Sequence, residues 1–362
     1  MSTKIEWADE TWGIITGCTK VSDGCAHCYA ERMSKRLAGR CGYPKDEPFK
    51  VTLHPEKLAE PLKWKKPRKI FVNSMSDLFH EDVPDEFIAR VWWVMGQCAG
   101  YLDPSRYRGH TFMILTKRPK RMKDWLDGWR DQETRKRWIE SFGEMFDWMS
   151  GPRYWPDVLP NVWLGVSVEN QVAADERIPL LLQASAAVRF ISAEPLLSEI
   201  NISRYLKWPV CKCWCPDGDP NKYGKYHWEK QSLVSADWVG IDRVIVGGES
   251  GPGARPMHPD WVRSLRDQCQ AAGTKFFFKQ WGEWIVPEDG AVACRVCGCT
   301  WHNACNDGCY WVEPGLCGKC VGKPIPTFRA VKFRRVGKKK AGRELDGRTW
   351  DEMPEIGVEV QP

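Results

Sequence analysis

The chain has 362 residues, 43% of them hydrophobic and 28% charged, with sixteen cysteines and a formal net charge of +6, which suits one large domain with insertions or two smaller ones. A charged opening from Met1 to Glu10 stands where a signal peptide would need an apolar core, and no run approaches the ~18 apolar residues of a membrane span. The expectation is a cytoplasmic protein with no membrane partner, whose close Cys-x2-Cys spacings are metal ligands rather than disulfides.

In chain order, a short strand near Gly13 to Thr16 leads into a loop carrying Cys18, Cys25 and Cys28, which runs into a helical pattern from Tyr29 to Arg40. Three thiols without a fourth nearby leave one position of a metal centre open, as chemistry requires and as a closed structural zinc site does not. Thiolate runs of this kind hold 4Fe-4S clusters. The alternative is a zinc knuckle whose fourth ligand lies elsewhere, with His27 one candidate.

Apolar runs then recur at Ile70 to Asn73, Thr111 to Leu115, Val162 to Val168, Val188 to Ser192, Arg243 to Val246 and Lys275 to Phe278. Between them lie helical patterns at Asp85 to Cys98, Arg118 to Trp129, Thr134 to Met149, Gln171 to Gln183 and Pro259 to Ala272. Near-continuous apolar strands are buried on both faces, and strand followed by helix, repeated, implies parallel strands with right-handed crossovers. The fold class expected is α/β, a full or partial (β/α) barrel. Its active site would be built at the C-terminal strand ends. The residues there are Ser74, Asp77, Glu169, Gly247, Gly248 and Glu249, read as cofactor-binding, and Lys117, Glu194 and Lys279, read as catalytic. Taken singly, Lys117 followed by Pro119 could simply start a helix and Asp77 could cap one.

The domain expected spans 1–290, with a polar insertion at about 207–238 that carries Cys211, Cys213 and Cys215, a further metal group if His227 joins them. A cysteine-rich insertion follows at 291–324. Its outer pairs, Cys294 with Cys297 and Cys317 with Cys320, have the spacing of a four-cysteine zinc ribbon. Cys299, His302, Cys305 and Cys309 make a second set for zinc or for an iron-sulfur cluster. The segment 325–362 completes the barrel domain and concentrates seven basic residues between Arg329 and Lys340, a candidate contact for phosphate. Most of the twenty-one tryptophans fall in helical patterns and read as packing.

Several blocks carry a resemblance: Glu6-Trp7 with Thr11-Trp12 and Gly17-Cys18, Ser74-Met-Ser-Asp-Leu-Phe79, Leu115-Thr-Lys-Arg-Pro119 and Gly165-Val-Ser-Val-Glu169. Further on come Ile191-Ser-Ala-Glu-Pro-Leu196, Gly247-Gly-Glu-Ser-Gly251 with Ala254-Arg-Pro256, Phe278-Lys-Gln-Trp-Gly282 and Gly342-Arg-Glu-Leu-Asp-Gly347. From Ile5 to Pro354 the chain resembles the radical S-adenosylmethionine (SAM) superfamily, and more closely its phage-associated gp-thirty-seven/sixty-eight family. The resemblance implies a barrel of radical SAM type and a 4Fe-4S cluster on Cys18, Cys25 and Cys28, whose unique iron is chelated by the amino and carboxylate groups of SAM. One electron from an external donor would cleave SAM to methionine and a 5′-deoxyadenosyl radical that takes hydrogen from the substrate.

Phage association suggests DNA or a modified nucleotide as substrate, an isomerised or remodelled hypermodified pyrimidine as product, and the host cytoplasm as location. One departure stands out. The superfamily's common motif is Cys-x3-Cys-x2-Cys with an aromatic before the last cysteine, whereas here the first gap is six and Tyr29 follows the last cysteine. Two other functions fit the residues: a metal-dependent DNA-processing protein using Asp77, Glu169, Glu194 and Glu249, or a zinc-ribbon nucleic-acid-binding protein with an inactive barrel.

Overall fold

The computed structural model describes residues 5–100, 107–142, 156–207, 240–286, 311–313, 316–317 and 333–354. The elements in order are β1 (Glu10–Trp12), β2 (Ile15–Thr16), α1 (Tyr29–Leu37), β3 (Thr52–Leu53), α2 (Glu60–Lys63), β4 (Lys69–Val72), α3 (Asp85–Cys98), β5 (Thr111–Thr116), α4 (Pro119–Arg130) and α5 (Gln132–Glu140). They continue with β6 (Val162–Ser167), α6 (Gln171–Gln183), β7 (Val188–Ala193), β8 (Arg243–Gly247), α7 (Pro259–Ala272), β9 (Lys275–Gln280), β10 (Trp284–Ile285), β11 (Trp311–Glu313), β12 (Leu316–Cys317), β13 (Arg334–Arg335) and α8 (Lys338–Ala341).

Seven strands form one curled parallel sheet in the order β1-β4-β5-β6-β7-β8-β9. Among the described residues β1 and β9 do not pair, so the sheet is an open half-barrel, the partial form of the expected fold. Alternation along each strand separates two apolar layers. Ile70, Val72, Phe112, Ile114, Leu164, Val166, Ile191, Val244, Val246, Phe276 and Phe278 belong to the main core with the helices. Their neighbours Phe71, Met113, Trp163, Phe190, Ile245 and Phe277 face the other way, into the concave side, around Trp7. Trp7, from the segment before β1, stacks tilted on Phe71 at 4.6 Å and reaches Phe190 at 6.4 Å. The N-terminal half of the concave side is therefore filled with apolar side chains. Continuing the same alternation towards the C-terminal ends brings Lys117, Ser167, Glu169, Ser192, Glu194, Gly247 and Lys279 to that side, above the apolar floor.

The outer edge of β9 is covered by the chain itself: Phe278 N–H donates to Trp350 O at 3.0 Å, Glu352 N–H to Phe276 O at 3.3 Å, and Phe277 pairs antiparallel with Asp351.

Two expectations need correction. The first strand of the sheet is Glu10–Trp12 rather than Gly13 to Thr16; Ile15–Thr16 pairs antiparallel with β3 instead. Asn73 explains the break, because its Oδ1 accepts the backbone N–H groups of Ile14 and Ile15, both at 3.1 Å, and takes them off the sheet. Helix α1 stops at Leu37, short of Arg40.

Candidate functional site at the mouth of the half-barrel

The cysteine loop starts from Gly17, whose φ of +84° and 2.2 Å clearance to Lys50 O at a would-be Cβ admit no side chain. Gly17 bridges Ser76 in parallel, and Cys18 N–H donates to Phe49 O at 3.1 Å. From there the loop crosses the strand ends. Cys18 Sγ accepts from Arg118 Nη1 at 3.6 Å, beyond β5. Gly24 lies on the Glu169 carboxyl beyond β6, where an added Cβ would come within 3.1 Å. Asp23 O accepts from Arg255 Nη2 at 3.0 Å, beyond β8. His27 packs on Gly253 and Arg32 on Gly251, both glycines with positive φ and no room for a side chain. Cys25 ends a short 3-10 turn, Cys28 precedes α1, and all three thiols are free and half-buried.

Burial and the Asp77 carboxylate push the Cys18 thiol up to about 11 against the opposing pull of Arg118, so loading a metal there must displace a proton. Among the described residues no three His, Cys, Asp or Glu side chains converge on one ion-sized point, and His27 forms no such group with the thiols. Cys18, Cys25 and Cys28 nevertheless put three soft sulfur donors, each half-buried, on one loop, and sulfur is the donor type that iron-sulfur clusters take. A cleft of about 370 Å³ opens beside Cys18, between Thr19, Lys35, Glu47, Phe49 and Lys50, on the flank of the loop rather than between the strand ends.

Four rim carboxylates each hold their own partners. Asp77, buried, accepts from Thr116 Oγ1 at 2.7 and 2.9 Å, from the N–H groups of Phe79 and Lys117 at 3.0 Å, and from Arg118 Nη1 at 3.3 Å. Glu169 pairs with Arg177 at 2.9 and 3.3 Å, both fully enclosed. Burial pushes the Glu169 carboxyl up, but the Ser22 hydrogen bond and the charges of Arg177 and Lys117 outweigh it and hold it below the usual carboxylate range. Glu249 accepts two bonds from the Arg255 guanidinium, at 2.7 and 2.9 Å, which overcome burial in the same way and lower it. Glu194 takes Lys279 Nζ on both oxygens and Gln280 Nε2 at 3.3 Å.

Gly247 and Gly248 let neighbouring groups approach closely: a Cβ on Gly248 would come within 2.1 Å of Trp281 O, and one on Gly247 within 3.2 Å of the Glu194 carboxyl carbon. Ser74 lies in the turn after β4. Cys294, Cys297, Cys299, His302, Cys305, Cys309 and Cys320 lie outside the described residues, as do Cys211, Cys213, Cys215 and His227; the backbone of Cys317 belongs to β12, antiparallel to β11.

Sequence reasoning missed Arg118, read as the first residue of a helix. The following proline keeps it out of helical geometry, at φ −119° and ψ 62°, and its side chain turns back to the cysteine loop. Thr19 and His80 were missed with it. Thr19 Oγ1 accepts from Arg118 Nη2 at 2.7 Å and lies 2.9 Å from His80 Nε2. His80 Nδ1 accepts from Asp82 N–H at 3.1 Å, which assigns the ring proton to Nε2. Burial first, then Arg118, lower the His80 pKa and keep the ring neutral.

A sequence profile of proteins of unknown function, DUF5131, matches residues 2–354, a span that takes in the cysteine loop, all seven strands and α8. The chain belongs to the DUF5131 family. The family description assigns no chemistry. Comparison with curated proteins and comparison with solved structures each return no match. Any reading of function for this DUF5131 chain therefore rests on its own residues.

Proposed function

We propose that the chain is a radical SAM enzyme in which Cys18, Cys25 and Cys28 would hold a 4Fe-4S cluster that binds SAM, on the loop at the mouth of the half-barrel. The observation that carries this reading is the attachment of loop 18–28 to Arg118, Glu169 and Arg255, across the C-terminal ends of the sheet. When bound, cluster and SAM together supply a carbon radical able to take hydrogen from an unactivated carbon. The chain's own part is to bind and to exclude water. Trp7 and Phe190 close the floor, while Lys117, Glu169, Glu194 and Lys279 supply charge around the site.

The substrate we propose is DNA or a modified nucleotide, with isomerisation or remodelling of a hypermodified pyrimidine as the reaction, a low-potential external electron donor and a cytoplasmic setting. Support for a polyanion comes from Arg335, which donates to Gly251 O at 3.0 Å and so sets the basic segment beside the mouth. Zinc on Cys294, Cys297, Cys317 and Cys320, and a second ion on Cys299, His302, Cys305 and Cys309, remain part of the proposal. A two-metal nuclease is less well supported, because Asp77, Glu169, Glu194 and Glu249 are each engaged by a cation of their own.

The test is anaerobic reconstitution with iron and sulfide, then addition of SAM. The expected result is a cluster whose electron paramagnetic resonance (EPR) signal changes with SAM and which releases 5′-deoxyadenosine under dithionite. A protein that takes up no cluster, or one indifferent to SAM, would falsify the reading.

A further inference from the structure

We propose that Arg118 is a positioning residue that fixes the Cys18 sulfur and sets the reduction potential of the cluster this sulfur helps to hold; the inference rests on the reading of the cysteine loop given above. The guanidinium is buried and tied on every side. Nε donates to both Glu81 oxygens at 3.0 and 2.8 Å, Nη1 to Asp77 Oδ2 at 3.3 Å and to Cys18 Sγ at 3.6 Å, and Nη2 to Thr19 Oγ1 at 2.7 Å and Thr19 O at 3.3 Å. Asp77 is itself held by Thr116 and by two backbone N–H groups, so the fork cannot swing away from the sulfur. The three cysteines are therefore unequal. Cys18 meets a buried, permanently charged donor, while Cys25 has the neutral Ser22 Oγ at 3.9 Å.

Reduction of a cluster held there would take one electron from the external donor, with no bond at Arg118 formed or broken. The reduced form carries one more negative charge, so an N–H···S bond and an adjacent positive charge stabilise it more than the oxidised form. Two carboxylates modulate that charge: Asp77 inside, and Glu81, whose side chain is 64% exposed, outside. Removing the arginine should lower the potential. Neutralising Glu81, with Arg118 still held by Asp77 and Thr19, should raise it.

The experiment is a potentiometric titration of the reconstituted full chain with dithionite and low-potential mediators, read by the EPR signal of the reduced cluster. Arg118→Met should cut the reduced-to-oxidised ratio at fixed potential at least tenfold, a midpoint 59 mV more negative for one electron. Glu81→Gln should raise that ratio by about twofold, a smaller effect because solvent and salt screen the exposed carboxylate. Midpoints unchanged in both variants, or shifted in the same direction, overturn the proposal. If Arg118→Met takes up no iron, Glu81→Gln decides alone, and an unchanged midpoint there is fatal. Failure of the underlying reading is seen separately and earlier, as a wild-type protein whose iron and sulfide content does not depend on Cys18.

Discussion

Lys279 reaches over β8 to Glu194: its Nζ lies 2.8 and 2.9 Å from the two carboxylate oxygens, although β7 and β9 are separated in the sheet by β8. The crossing is possible because Gly247, at the end of β8, has no side chain to obstruct the carboxylate. Replacing either partner leaves a half-buried charge without its counterpart, at a cost of about 1–3 kcal/mol. Lys279→Met and Glu194→Gln should each destabilise by that amount in urea titrations, and the double variant by clearly less than their sum. Additive losses would show that the two groups do not act as a pair.

The cysteine loop lies outside both apolar clusters. Cys18→Ala, Cys25→Ala and Cys28→Ala should each abolish cluster assembly and SAM cleavage while changing the thermal midpoint little. Iron and sulfide analysis beside circular dichroism checks both halves; full iron content in Cys25→Ala would remove this cysteine from the ligand set.

Glu169 gives a pH dependence of definite sign. Its folded pKa lies below the unfolded value of ~4.3, so the stability it contributes is fully present above pH ~4.3 and is lost as pH falls through the folded pKa. Glu169→Gln should be markedly less stable than wild type at neutral pH, and the gap should close in acid. A gap that stays constant down to pH ~2 would mean that Glu169 is not the charged partner of Arg177.

Trp7 fills the floor of the concave side at 4% exposure. Trp7→Ala should cost about 3–5 kcal/mol in urea unfolding. A loss below about 1 kcal/mol would show that the floor repacks without it.

If the basic segment guides DNA or a nucleotide to the half-barrel, its contacts must be mostly to phosphate, hence salt-dependent and insensitive to sequence. Replacing Arg334, Arg335, Lys338, Lys339 and Lys340 by Gln should flatten the dependence of DNA affinity on salt and leave substrate-free SAM cleavage intact. The same affinity and slope in the variant would make this segment an ordinary solvated surface.

The buried strands were legible in the sequence because each is an apolar run: the expected Val162 to Val168 becomes Val162–Ser167, and Arg243 to Val246 becomes Arg243–Gly247. The first strand was not, since Glu10–Trp12 opens on a buried carboxylate whose ion-pair partner Arg68 lies 58 residues away. The rim was legible residue by residue but not as pairs. Glu194 and Lys279 are 85 residues apart and Arg118 and Cys18 are 100 apart, and no local pattern distinguishes a carboxylate that will meet an arginine from one left free for a ligand. Arg118 was hidden by its neighbour, for Arg-Pro reads as the opening of a helix whatever the arginine side chain does.

Among the described residues the sheet ends at β9, a last strand with bonding groups to spare, and residues 350–352 spend them internally on β9. This strap is joined through α8 to the basic residues of β13. A protein shortened ahead of β13 to remove its positive charge would lose the strap as well, baring β9 to any other extended chain, including a second copy of itself. Weak DNA binding or precipitation by such a fragment would then report on an uncovered strand as much as on missing lysines, and charge-neutralising substitutions in the full chain keep the two effects apart.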